Sequence, residues 1–372
     1  VNLITSVTRP PVDEAQLPII STMVKTKVMR IKVRIKDKLL LIPIQDRDGS
    51  KTVSWLCAEA SQRYCTLTGI RPTLTLSTKD GAILSPEDPI TLVLTGNDEI
   101  DAAVENWDLP PLAERYTQAC KALGIVAYRN VKNFLQTCDR TAKLGLQNLS
   151  LRPNHFQPII RALQCQTGLR ELDLQGNKLG DVGVESLVKA LDTLPNLISL
   201  SLACNEITSV GLKHLSRVFT AIDGTADHPR RPLQLLNSLN MSHNPLGDSC
   251  ITSLTSLIEN LPELSHLGMA ACDLSMKLFQ QNRIFLTQAL QKSPLQELDV
   301  SYNKFGSIGI ELLLKCLDHK KMTVLNLSST STGSSQPQIC MHLHRYLSQH
   351  GCALRKLDIS DLHLNADDHD LL

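Results

Sequence analysis

Cys340, His342, His344, His350 and Cys352 fall within one short stretch and are the side-chain types that ligate zinc. Cys340 and His344 would share one face of a helix. Their spacing matches no zinc-finger pattern, however, and Leu343, Tyr346 and Leu347 give the stretch the apolar stripe of an ordinary packed helix. No metal site and no cofactor is expected. A second grouping is cationic. Arg30, Lys32, Arg34 and Lys36 alternate with Met29, Ile31, Val33 and Ile35, which predicts a half-buried strand with one basic face. Such a face could meet phosphates. Because no aromatic rings interleave to stack on bases, nucleic-acid contact is expected to be weak at most, and an acidic protein is the better partner. Phosphate-cradling glycine loops, the HExxH metalloprotease pattern and the GxSxG nucleophile turn are all missing, so no enzyme is expected.

The elements that position these residues are read from repetition. The run Leu169-Arg170-Glu171-Leu172-Asp173-Leu174-Gln175-Gly176-Asn177 has the form LxxLxLxxN and recurs at 197–205, 236–244 and 295–303. A degenerate first copy is read at 146–154, and copies at 264–272, 322–330 and 354–362 lack the asparagine. Most steps are about 28 residues, the length of a long leucine-rich repeat. Alternating leucines such as Leu172 and Leu174 predict a short strand, and Val184, Leu187, Val188 and Leu191 predict the helix that follows it. Neither can bury its apolar face alone, so the repeats must stack into a solenoid with strands on the concave face. Two longer stretches, 223–232 and 328–337, are expected to be surface loops.

A different pattern precedes the repeats. After the basic strand come a second apolar run at 39–44 and a helix carrying Val53, Leu56, Ala60 and Tyr64; strands follow at 73–78 and 90–94. This ββαββ order is similar to the ubiquitin-like β-grasp. Gly96 is followed by Asn97 and Asp98 rather than by a terminal diglycine, so conjugation is not expected. The domains are accordingly set at 24–100 for a ubiquitin-like unit, 101–140 for a linker and helical cap, and 141–372 for about eight repeats. The fold class is α/β, a horseshoe of the ribonuclease-inhibitor type preceded by a β-grasp.

Composition excludes little. The net charge of the 372 residues is +1, which selects no partner globally. Eleven cysteines without disulfide spacing point to reduced, intracellular thiols. No segment reads as a signal peptide or membrane span, and no membrane association is expected. Beginning at Val1, the chain reads as a piece of something longer.

What remains is surface. Glu171, Asp173, Gln175, Ser201, Asn240, His266, Gly268, Glu297, Asp299, Tyr302, Asn326, Lys356 and Asp358 should face outward along the concave side. Small residues in the middle leave room for a bulky insert, and carboxylates at both ends favour basic residues on it. Arg30, Lys32, Arg34 and Lys36 form a second contact face. Arg152 is placed early on the concave surface, where the arginine of a GTPase-activating leucine-rich-repeat protein would act.

A ubiquitin-like segment at 28–94 followed directly by repeats at 146–364 resembles the C-terminal part of the Tonsoku-like protein family. The resemblance implies a non-catalytic nuclear scaffold acting on chromatin in homologous recombination at stalled or collapsed replication forks. It also implies a heteromeric complex with a large helical partner and support for loading the strand-exchange recombinase. Two alternatives share the architecture: a tubulin-folding cofactor, in which the order of the two modules is reversed, and a regulator of a small GTPase.

Overall fold

The computed structural model describes residues 28–46, 49–68, 70–220, 232–280, 283–331, 339–362 and 364. Residues 223–231 of the first expected loop and 332–337 of the second lie outside them. The chain divides into two compact units, one comprising the described residues of 28–68 and 73–105, the other those of 70–72 and 106–364.

In the first unit β1 (Met29–Ile35) and β2 (Lys38–Ile44) pair antiparallel, with Ile35 opposite Lys38 across a tight turn. Ile31, Val33, Ile35, Leu40, Ile42 and Ile44 are buried, and α1 (Val53–Thr68), packed against β2, buries Val53, Leu56, Ala60 and Tyr64. The strand β3 (Arg71–Thr78) comes next in the chain. The expected strand at 90–94 is instead a single helical turn, α2 (Ile90–Val93). Ile90 and Leu94 are both buried, whereas Leu92 is 80% exposed; inward residues four apart are a helical spacing, not an alternation. The Leu94 N–H donates to the Ile90 carbonyl at 2.9 Å, closing that turn.

The last strand is β4 (Glu99–Asp108), which runs parallel to β1 and completes the sheet order β2-β1-β4-β3. Its buried residues are Ile100 and Trp107, an odd seven positions apart, and Glu99, Asp101, Glu105 and Asp108 beside them hide the strand from a hydropathy reading. A boundary at residue 100 therefore cuts a strand, and residues 101–108 are not linker.

The second unit opens with α3 (Leu112–Leu123) and α4 (Arg129–Thr141), which bury Leu112, Tyr116, Cys120, Val131, Leu135 and Cys138 against the first repeat. Asp139 accepts the N–H of Leu112 at 3.0 Å, tying the two helices together. The strands β5 (Lys143–Gly145), β6 (Glu171–Asp173), β7 (Ser199–Ser201), β8 (Ser238–Asn240), β9 (His266–Gly268), β10 (Glu297–Asp299), β11 (Val324–Asn326) and β12 (Lys356–Asp358) follow, forming one parallel sheet in chain order. Between them lie α5 (Pro153–Leu163), α6 (Gly180–Leu191), α7 (Ser209–Thr220), α8 (Ile251–Asn260), α9 (Arg283–Lys292), α10 (Gly306–Cys316) and α11 (Ile339–Leu347). Strands stack about 4.8 Å apart while packed helices need about 8–10 Å, so stacking bends this unit with its sheet on the inner side.

The first copy is displaced from its expected frame. Leu144 pairs in register with Leu172, so the repeat starts near Thr141, and 146–154 is not the motif. The run Leu146, Leu149, Leu151 imitates LxxLxL, but Leu144 and Leu146 are the residues that enter the ladder; Asn154 lies in α5. The correct start also restores the spacing to the next copy.

Asparagine at the end of the motif closes each repeat from within. Asn244 is fully buried; its amide donates to the carbonyls of Leu202 at 2.9 Å and Met241 at 2.8 Å and accepts the N–H groups of Asn205 and Ile207, both at 3.0 Å. Asn177, Asn205 and Asn303 make the same kind of donation. Only an amide both donates and accepts in this way. Where the asparagine is lost, Cys272 and Thr330 keep a weaker version: the Cys272 thiol lies 3.4 Å from the Met241 carbonyl, and the Thr330 hydroxyl donates to the Leu327 carbonyl at 2.6 Å.

Candidate protein-binding face

The strand residues that do not enter the core form two aligned columns. One runs Lys143, Glu171, Ser199, Ser238, His266, Glu297, Val324, Lys356; the other runs Gly145, Asp173, Ser201, Asn240, Gly268, Asp299, Asn326, Asp358. Lys143 and Gly145 are members that the displaced first frame concealed.

In the first column two pairs of neighbours are in polar contact. Lys143 Nζ lies 2.6 Å from Glu171 Oε1, and His266 Nε2 lies 3.2 Å from Glu297 Oε1. The other ring nitrogen, Nδ1, is 2.5 Å from the Ser265 hydroxyl and 3.1 Å from Asn237 Oδ1, which fixes the ring against the sheet.

The second column has a local task as well as an outward face. Asp173 accepts the N–H of Gln175 at 3.0 Å; Asn240, Asp299, Asn326 and Asp358 accept the N–H two residues on in the same way. The bond turns the chain out of the strand, an Asx turn. Ser301 and Ser360 add their hydroxyls to the same carboxylate oxygens at 2.7 Å, and those contacts hold the Asp358 carboxyl below the usual carboxylate range. Asp299 and Asp358 thus spend one oxygen on the turn, whereas Asp173 also receives the Gln147 amide at 2.7 Å. All three are half-buried rather than fully exposed.

Beyond the turn the outward alternation stops in five of the repeats. Ala203, Ser242, Ala270, Ser301 and Ser328 are buried, because the strand ends before them and the turn folds them inward. In every repeat the following residue adopts a left-handed backbone: Asn148, Gly176, Cys204, His243, Ala271, Tyr302, Ser329 and Asp361 have φ between 50° and 71°. Tyr302 is 61% exposed there, at the rim.

Ser238, Asn240, His266, Gly268, Glu297, Asp299, Val324, Asn326, Lys356 and Asp358 line one groove of about 330 Å³ above β8–β12. Glu171, Asp173, Gln175 and Ser201 lie outside it, on the earlier strands. Gly268 keeps the floor low: a Cβ there would come within 2.7 Å of Asn240 Oδ1 and 3.1 Å of Ser242 Oγ. The groove presents hydrogen-bonding groups, three carboxylates, one lysine and one imidazole. It is suited to holding a polar or basic surface.

The other sequence candidates are dispersed. Arg152 is the N-cap of α5, off the strand columns, because the first frame was misplaced. Among the described residues no three of histidine, cysteine, aspartate and glutamate converge as a metal site. His342 is buried with Nε2 3.9 Å from Glu311 Oε2, and burial pushes its pKa down. Arg30, Lys32, Arg34 and Lys36 do lie together, on the exposed side of β1 and the turn that follows it. No described helix is long and apolar enough to cross a membrane.

A profile described as Leucine Rich repeat matches residues 166–188, 193–216, 233–257 and 291–314. Tonsoku-like protein of Danio rerio is 37% identical over 346 residues, covering 92% of this chain and 24% of the relative. Tonsoku-like protein of Mus musculus is 38% identical over 339 residues, covering 91% and 24%. Ribonuclease inhibitor of Sus scrofa is 32% identical over 225 residues, covering 59% of this chain and 45% of the relative. The chain therefore spans about a quarter of the length of the Tonsoku-like relatives it matches. Its leucine-rich repeats and these relatives support a role in protein interaction. With such identity sustained over most of its length, the chain belongs to the Tonsoku-like protein family.

Proposed function

We propose that this chain is a non-catalytic scaffold whose concave strand face grips a large helical partner protein during homologous recombination repair of stalled or collapsed replication forks, on chromatin in the nucleus. The complex it nucleates supports loading of the strand-exchange recombinase. The first unit is read as a ubiquitin-like β-grasp serving as a binding domain. The single observation behind the concave reading is the groove above β8–β12, where Glu297, Asp299 and Asp358 line one cleft. Oriented carboxylates at a partly desolvated surface select basic residues on a partner and fix its register.

The test is affinity capture of this chain from nuclear extract, at low and moderate salt, with the retained proteins identified by mass spectrometry. The expected result is one large helical recombination factor retained at moderate salt. Capture of tubulin or of a small GTPase in its place would replace this reading with one of the two alternatives. For the GTPase alternative, Arg152 at the N-cap of α5 offers no arginine on the strand face.

A further inference from the structure

The hairpin of the first unit carries a surface that the concave face does not explain. Its register sets Arg30 opposite Pro43, Lys32 opposite Leu41 and Arg34 opposite Leu39. The side away from the core is thus two columns, cations on β1 and apolar residues on β2. Leu39 is 46% exposed and Leu41 is 53% exposed. The edge strand of a sheet normally turns charge toward solvent, so exposed leucines on β2 call for an occupant.

The backbone edge of β2 is poorly suited to receive one. Pro43 has no N–H to donate, and the Leu41 carbonyl already accepts from Arg63 Nη1 at 3.0 Å. Strand addition is therefore disfavoured, and the side-chain face is what stays open. Its cations are unequal. Arg34 lies 2.7 Å from Glu99 and 3.8 Å from Asp101 on β4. Arg30 and Lys32 have no ion-pair partner among the described residues. Two unmatched cations beside two exposed leucines select a ligand carrying both carboxylates and apolar side chains. Nucleic acid fits less well, because the leucines give phosphates nothing.

We propose that this hairpin face docks an acidic amphipathic segment of a partner protein, its apolar side chains resting on Leu39 and Leu41 and its carboxylates reaching Arg30 and Lys32. This surface is separate from the concave groove and stands whether or not the groove reading holds.

The experiment uses the whole chain with isotope-labelled leucine methyl groups. The probes are a synthetic peptide with leucine and glutamate at helical spacing, its twin with every glutamate changed to lysine, and a single-stranded oligonucleotide. The acidic peptide should move the Leu39 and Leu41 methyl signals, while the lysine twin leaves them in place. Arg30→Glu with Lys32→Glu should weaken the acidic peptide by at least about tenfold, as should Leu39→Ser with Leu41→Ser. Neither double variant should lower the melting temperature, since all four side chains are exposed. Methyl signals unmoved by the acidic peptide, equal binding of the lysine twin, or displacement of the acidic peptide by the oligonucleotide would each overturn the proposal.

Discussion

Asp173, Asp299 and Asp358 each do two jobs that a sequence pattern cannot separate. Each accepts the N–H two residues on and so turns the chain out of its strand, and each places negative charge on the concave side. Reversal to lysine would disturb both, because lysine has no acceptor. Asn240 and Asn326 show which substitution separates them: they make the same turn bond without a charge. Changing all three aspartates to asparagine is expected to shift the melting temperature by no more than about 2 °C, since the three lost charges are half-exposed and surface charge contributes little to stability. A larger loss, read by calorimetry, would mean that the charges themselves hold the turns. The outward alternation on each strand was legible in the sequence. The turn bonds were not, nor was the inward fold of Ser242, Ser301 and Ser328, because each depends on where a three-residue strand stops.

At the scale of the element, the repeats stand on buried amides that bridge one copy to the next. Removing one from the middle of the array tests this. Asn244→Ala strands several buried backbone groups together and is expected to destabilise the repeat unit by about 2–4 kcal/mol, seen as a lower urea midpoint. The converse change is more discriminating. Cys272 occupies the asparagine position of its copy with a thiol that burial pushes up to about 12, so it stays protonated and bonds weakly. Cys272→Asn should restore the full ladder and raise stability by about 1 kcal/mol; a loss of stability there would show that this copy has repacked around sulfur. These elements were readable because LxxLxLxxN fixes strand, exit and helix together. The elements that escaped lacked such redundancy. Residues 90–94 are too short for periodicity to separate helix from strand, and Glu99–Asp108 hides its two buried residues, Ile100 and Trp107, among charges.

For the whole molecule, the repeats explain more than composition does. A net charge of +1 over 372 residues steers the chain toward no class of partner, so any selectivity must come from local arrangements. Stacking provides one by bringing side chains from five successive strands into a single groove, although they are scattered between residues 238 and 358 of the chain. The architecture was visible in the period of the leucines; the position of the groove toward the later repeats was not, because curvature and side-chain depth arise only when the copies pack. The central claim is that this groove and its carboxylates hold the partner. Its most direct test is to measure, by calorimetric titration at moderate salt, the affinity of the captured partner for the wild-type chain and for the Glu297→Gln, Asp299→Asn, Asp358→Asn variant, which removes the three carboxylates that line the groove. The account predicts at least about a tenfold weaker complex for the variant, with a shallower salt dependence and an unchanged fold. Equal affinity for both proteins would contradict it and move the interface away from the concave strands.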